Sequence, residues 1–140
     1  MRKRKVRSWH GLEFTIEILN GWAKIGFFLH PQVANFFLRR GLPEKERIEM
    51  EILHEFGHVQ TFPFVLIYFI PLRVFYGVSG LFEMAIAAVG LLFFWEILAE
   101  LYVISKTRNY FKIYAEKKPI CAPVFWIFLT LFSAIPFVIL

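Results

Sequence analysis

Residues 81–104 read LFEMAIAAVGLLFFWEILAELYVI, and this stretch does most to limit what the chain can fold into. A helix rises 1.5 Å per residue, so about 20 mostly apolar residues cross the ~30 Å hydrocarbon core of a bilayer. Residues 119–140 form a second apolar stretch of spanning length. A third, residues 59–72, nearly spans as the extension of a preceding helix, with Pro63 and Pro71 placed to kink or end it and Arg73 just beyond. Hydrophobic residues make up 58% of the 140, too apolar for an ordinary soluble domain. The expected fold class is a mainly α membrane protein with about three transmembrane helices, preceded by an N-terminal cytoplasmic β-hairpin and helices.

Charge is distributed as a membrane protein distributes it. The first seven residues, MRKRKVR, carry five basic groups, and a second basic cluster holds Lys106, Arg108, Lys112, Lys117 and Lys118. Such a pattern fits a lipid bilayer as partner, not nucleic acid. MRKRKVR reads as a solvated tail that also anchors against anionic lipid. No apolar run follows it directly, so it does not read as a secretory signal. Of the 16 basic residues, all but Arg73 fall in the N-terminal region or the 105–118 loop. If the first two spans form a hairpin, both regions lie on one side, and the Lys/Arg bias makes that side cytoplasmic.

Before the first span, EFTIEIL (13–19) and WAKIGFFL (22–29) flank Asn20-Gly21, a strong hairpin signal. PQVANFFLRRG (31–41) reads as a short helix and residues 42–61 as a longer one, with Pro43, Glu44 and Glu46 suited to its start. Residues 1–60 would be the cytoplasmic region with the hairpin and the second of these helices, and 61–140 the transmembrane bundle, in one integrated domain. Single Cys121 allows no intrachain disulfide. All 11 acids are Glu, which excludes an aspartyl-protease dyad and a Ser-His-Asp triad.

The longer helix contains HEFGH. His54 and His58 are four apart and share one helix face, a spacing that lets two imidazoles hold one Zn²⁺. Glu55, beside them, is placed to polarise a water. A third protein ligand must come from elsewhere. His10 and His30 read as local polar residues, and no His follows His58. With a hairpin apex near Phe75, His54 and Glu96 both lie ~31 Å from it, whereas Glu83 lies only ~12 Å away. An apex nearer Ser79 aligns Glu100 with Gly57 instead. Depth alone thus selects the pair Glu96/Glu100 and not the member. In EILAE the two acids share a helix face, so one can bind metal while the other holds a ligand imidazole. GVSG (77–80) matches a rhomboid serine-protease motif but lacks a later His base, so it reads as a turn. Glu51 and His54 form one E-x-x-H, too few for a di-iron site, and Glu51 reads as solvent-facing.

HEFGH followed by E-x-x-A-E resembles the gluzincin metallopeptidases, and among them the membrane-embedded heat-shock-protease and CAAX-prenyl-protease group. The resemblance covers about residues 45–105. It implies His54, His58 and Glu96 as zinc ligands, Glu55 as catalytic base and Glu100 as the acid that supports the first histidine. Glu100 stands where those relatives carry Asp, and so reaches one methylene further. The resemblance also implies an edge strand for a substrate peptide, here WAKIGFFL with Ile25, Gly26 and Phe27 at its middle. Tyr102 and Tyr110 follow EILAE and could reach the site; Tyr102 is the candidate oxyanion helper. The expected function is an integral membrane, multi-pass zinc metallopeptidase with Zn²⁺ as cofactor, working at the cytoplasmic membrane face on a peptide or membrane-protein substrate. So small a bundle could form a homo-oligomer to seal its polar site. The competing expectation is a non-catalytic membrane adaptor or metal-binding protein with a degenerate HExxH.

Overall fold

The computed structural model describes residues 2–19, 22–25 and 34–140. Three antiparallel strands come first: β1 (Arg2–Arg7), β2 (Glu13–Leu19) and β3 (Trp22–Ile25), in the spatial order β1-β2-β3. A short π-helix (Asn35–Arg39) follows. Then come α1 (Glu44–Phe75), α2 (Leu81–Lys106), α3 (Tyr110–Lys117) and α4 (Cys121–Ile139). Helices α1, α2 and α4 are long and apolar enough to cross a membrane, as fits an integral membrane protein.

The expected hairpin is present as β2 and β3, but MRKRKVR is not a tail. It pairs along β2 from Arg2 opposite Ile18 to Arg7 opposite Glu13. The reason is charge alternation matched across the ladder. Lys3, Lys5 and Arg7 share one face of β1, opposite Glu17, Thr15 and Glu13, and Lys3 Nζ lies 2.9 Å from Glu17 Oε1. Val6 faces the other way and joins Phe14, Ile16, Ala23, Ile52, Phe56 and Val59 between sheet and α1.

α1 runs unbroken through Pro63 and Pro71, so the border between residues 60 and 61 falls inside one helix. Proline has no N–H, so Pro63 leaves the Val59 carbonyl without its helical donor. His10 Nε2 lies 3.0 Å from that oxygen and, carrying its proton, replaces the lost donor. Trp9 Nε1 donates to the next carbonyl, Gln60 O, at 2.9 Å. The β1–β2 turn is thereby pinned where proline opened the helix.

The α1–α2 turn is closed by local polar groups. Arg73 Nη1 donates to Val78 O at 2.9 Å, and Glu83 Oε2 accepts from Ser79 N and Gly80 N at 2.9 and 2.7 Å. α4 packs on α2, and Tyr68 of α1 reaches it by donating its hydroxyl to Ser133 O; at Gly90 of α2 a Cβ would collide with the Tyr68 hydroxyl and the Pro136 ring. The basic 105–118 segment, expected as a loop, contains α3, whose Tyr110 and Tyr114 bury in a core with Leu38, Met50, Val103 and Phe125. Outward from the bundle, Leu66, Ile70, Val74, Phe82 and Leu131 are all more than half exposed, the face a lipid-embedded helix presents.

Candidate metal centre

His58 precedes the end of α1, and Glu96 follows the start of α2, by ~25 and ~22 Å at 1.5 Å per residue. A short turn joins the two antiparallel helices, so both residues arrive at a similar depth. Gly57, inside HEFGH, lets the helices close on each other there. A Cβ on it would stand 2.7 Å from Ala99 O and 3.0 Å from Ala99 Cα.

The result is a buried cluster of His54, His58 and Glu96, each offering a ligand atom within 4.8 Å of the others. Glu96 Oε2 lies 3.3 Å from His54 Nε2, and Glu96 Oε1 lies 3.2 Å from His58 Nε2. Charge-assisted hydrogen bonds are shorter, about 2.7–2.9 Å. Ligand atoms ~2.0–2.1 Å from a tetrahedral Zn²⁺ stand about 3.3–3.4 Å apart, and each carboxylate oxygen of Glu96 stands near that distance from a different histidine Nε2. Both carboxylate oxygens of Glu96 are buried with no hydrogen-bond partner among the described residues. Two imidazoles and a carboxylate that face one another at this spacing fit Zn²⁺.

Glu100 organises the cluster from behind. Its Oε2 lies 2.9 Å from His54 Nδ1 and accepts from Arg39 Nη2 at 2.6 Å, while its Oε1 accepts from the Tyr110 hydroxyl at 2.6 Å. With the His54 proton on Nδ1, Nε2 turns a lone pair toward Glu96 and His58. Arg39, at the end of the π-helix, is completely buried. Burial opposes its charge, but the adjacent Glu100 carboxylate outweighs this and holds the guanidinium protonated. Burial and the same carboxylate push the Tyr110 phenol up, so it stays a donor. Trp95 Nε1 donates to His58 O at 2.9 Å, and its ring stands edge-on to the His58 imidazole.

Glu55 is fully buried on the face it shares with Glu51, one turn earlier. Glu51 is not solvent-facing: it too is fully buried, and its Oε2 accepts from Ala23 N of β3 at 2.7 Å. Ala23 therefore turns its N–H outward from the sheet toward α1, and Ile25, two residues on, directs its backbone to the same edge. Gly26 and Phe27, the other two expected edge-strand residues, lie outside the described residues, as does His30. Tyr102 rests its ring edge-on against Phe56, centroids 5.7 Å apart, with Lys106 over it. Phe56 points nearly opposite His54 around α1, so it is Tyr110, and not Tyr102, that touches the Glu100 side of the centre.

Sequence reasoning brought His54, His58, Glu96 and Glu100 together. It missed Arg39 and the burial of Glu51, because LRRG and a single Glu among charged neighbours carry no mark of where they will pack. Compared with protein-family models, with curated proteins and with solved structures, the chain matches none.

Proposed function

We propose that the chain is a membrane-embedded zinc metallopeptidase that hydrolyses peptide bonds at the cytoplasmic membrane face. The observation that carries this reading is the spacing of Glu96 Oε2 and Oε1 from the two histidine Nε2 atoms, 3.3 and 3.2 Å, in a fully buried setting. His54, His58 and Glu96 would hold the ion. Bound there, Zn²⁺ would supply Lewis-acid polarisation of a peptide carbonyl and activation of water.

The chain's own residues have separable tasks. Glu55 takes the proton from the attacking water and delivers it to the leaving amine. Glu100, held by Arg39 and Tyr110, fixes the His54 ring so that Nε2 turns toward Glu96, where it would hold the ion. The outer edge of β3 at Ile25, which pairs with no further strand among the described residues, would take an extended substrate segment as a further strand. Glu51 holds that edge against α1 through Ala23 N.

Replacing Glu55 by Gln in the purified protein should leave metal content unchanged and reduce cleavage of a membrane-anchored peptide reporter at least 100-fold, since general acid–base catalysis contributes about 10²–10⁴. The complete burial of Glu55 favours one second reading, a metal-binding membrane protein that does not hydrolyse. Under that reading the wild type cleaves no reporter and the substitution changes nothing.

A further inference from the structure

Arg4, Val6, Ile52, Leu53, Phe56, Tyr102 and Lys106 line a cleft of about 240 Å³ between β1, α1 and α2. It opens on the side of the α1–α2 pair away from the His54 cluster. Its floor is apolar, from Val6, Ile52, Leu53 and Phe56. Its two cations, Arg4 and Lys106, are both exposed. Lys106 Nζ lies 5.5 Å from the centre of the Tyr102 ring.

The depth of this cleft indicates what would occupy it. Leu101, 48% exposed, is the last large apolar side chain exposed on α2. Lys106 follows it by about 7 Å along the helix axis. The headgroup layer on each face of a bilayer is about 5–7 Å thick. A side chain at the end of α2 therefore ends among lipid phosphates. Tyr102, between Leu101 and Lys106, has the amphipathic ring that favours this boundary.

We propose that this cleft binds one anionic phospholipid, its phosphate between Arg4 and Lys106 and its glycerol and first acyl carbons on the Ile52–Phe56–Tyr102 floor. Bound lipid joins β1 to the end of α2, and so seats the sheet, with β3 at its far edge, on the membrane surface. The basic residues of β1 divide accordingly. Arg4 shares the inward face with Val6, whereas Lys3 and Lys5 point away.

The test is phosphatidylglycerol binding, counted by native mass spectrometry of the detergent-solubilised full chain titrated with that lipid. The variants are Arg4→Gln/Lys106→Gln and, as a charge-matched control, Lys5→Gln/Arg108→Gln. At about 1 kcal/mol per basic group near the surface, removing Arg4 and Lys106 should weaken the first bound lipid about 30-fold. The control should shift it less than about 3-fold, and phosphatidylcholine should bind more weakly to the wild type. Equal weakening in both double variants would overturn the proposal in favour of diffuse attraction. Displacement of the lipid by an equal concentration of inorganic phosphate would overturn it in favour of a free-phosphate site.

Discussion

Glu100 is the residue on which the centre turns. It accepts from the Tyr110 hydroxyl and Arg39 at 2.6 Å and pairs with His54 Nδ1 at 2.9 Å, all inside protein. A hydrogen bond to a buried charged group contributes about 1.5–3 kcal/mol, and loss of an outer-shell partner usually costs 10–100-fold in metal affinity. Tyr110→Phe should therefore keep the fold and weaken zinc binding about 10-fold, measured by competition against a coloured chelator. Arg39→Ala should be harsher, because it strands a buried carboxylate; loss of one partner of a buried pair costs about 3–5 kcal/mol, read as a lowered thermal midpoint in detergent. If Tyr110→Phe binds zinc as tightly as wild type, Glu100 does not act through His54. The clustering of His54, His58, Glu96 and Glu100 was legible because the four-residue spacings in HEFGH and EILAE report which side chains share a face. Arg39 was not, since its partner lies 61 positions away and nothing local in FFLRRG distinguishes it from the exposed Arg40.

At the scale of elements, close approach and proline decide the arrangement. Gly57 permits the contact between α1 and α2 beside the centre, and a Cβ there meets Ala99 backbone, which cannot swing aside. Gly57→Ala should destabilise by about 1–3 kcal/mol, the usual cost of overpacking, and should reduce zinc retained after dialysis. An unchanged thermal midpoint would show that the helices do not pack this tightly. Pro63 makes a different prediction. In wild type, His10→Ala leaves the Val59 carbonyl without a partner, at about 1–3 kcal/mol. In a Pro63→Ala background the helix supplies its own N–H, so the same His10→Ala change should cost less by about 1 kcal/mol or more in a double-mutant cycle. Equal costs would contradict the link between His10 and Pro63. The spans were readable from apolar length alone. Composition concealed β1, because five basic groups in MRKRKVR resemble a tail until Glu13 and Glu17 are seen to lie opposite them. It also concealed α3, whose Tyr110 and Tyr114 bury among lysines that stay outside.

Over the whole molecule, the membrane bundle and the sheet serve one place. The α1–α2 hairpin sets the depth of His54, His58 and Glu96, and α3 and the π-helix bring Tyr110 and Arg39 behind Glu100. The sheet lays β3 over the Glu51–Glu55 face. The claim that unites these parts is that the cluster is a zinc site with Glu96 as third ligand. Elemental analysis of detergent-purified wild type, Glu96→Ala and Glu100→Ala tests it most directly. The account predicts one zinc per chain in wild type, none in Glu96→Ala, and zinc that is present but more readily chelated in Glu100→Ala. A wild type without zinc even after reconstitution, or a Glu96→Ala variant that keeps its full complement, would contradict it.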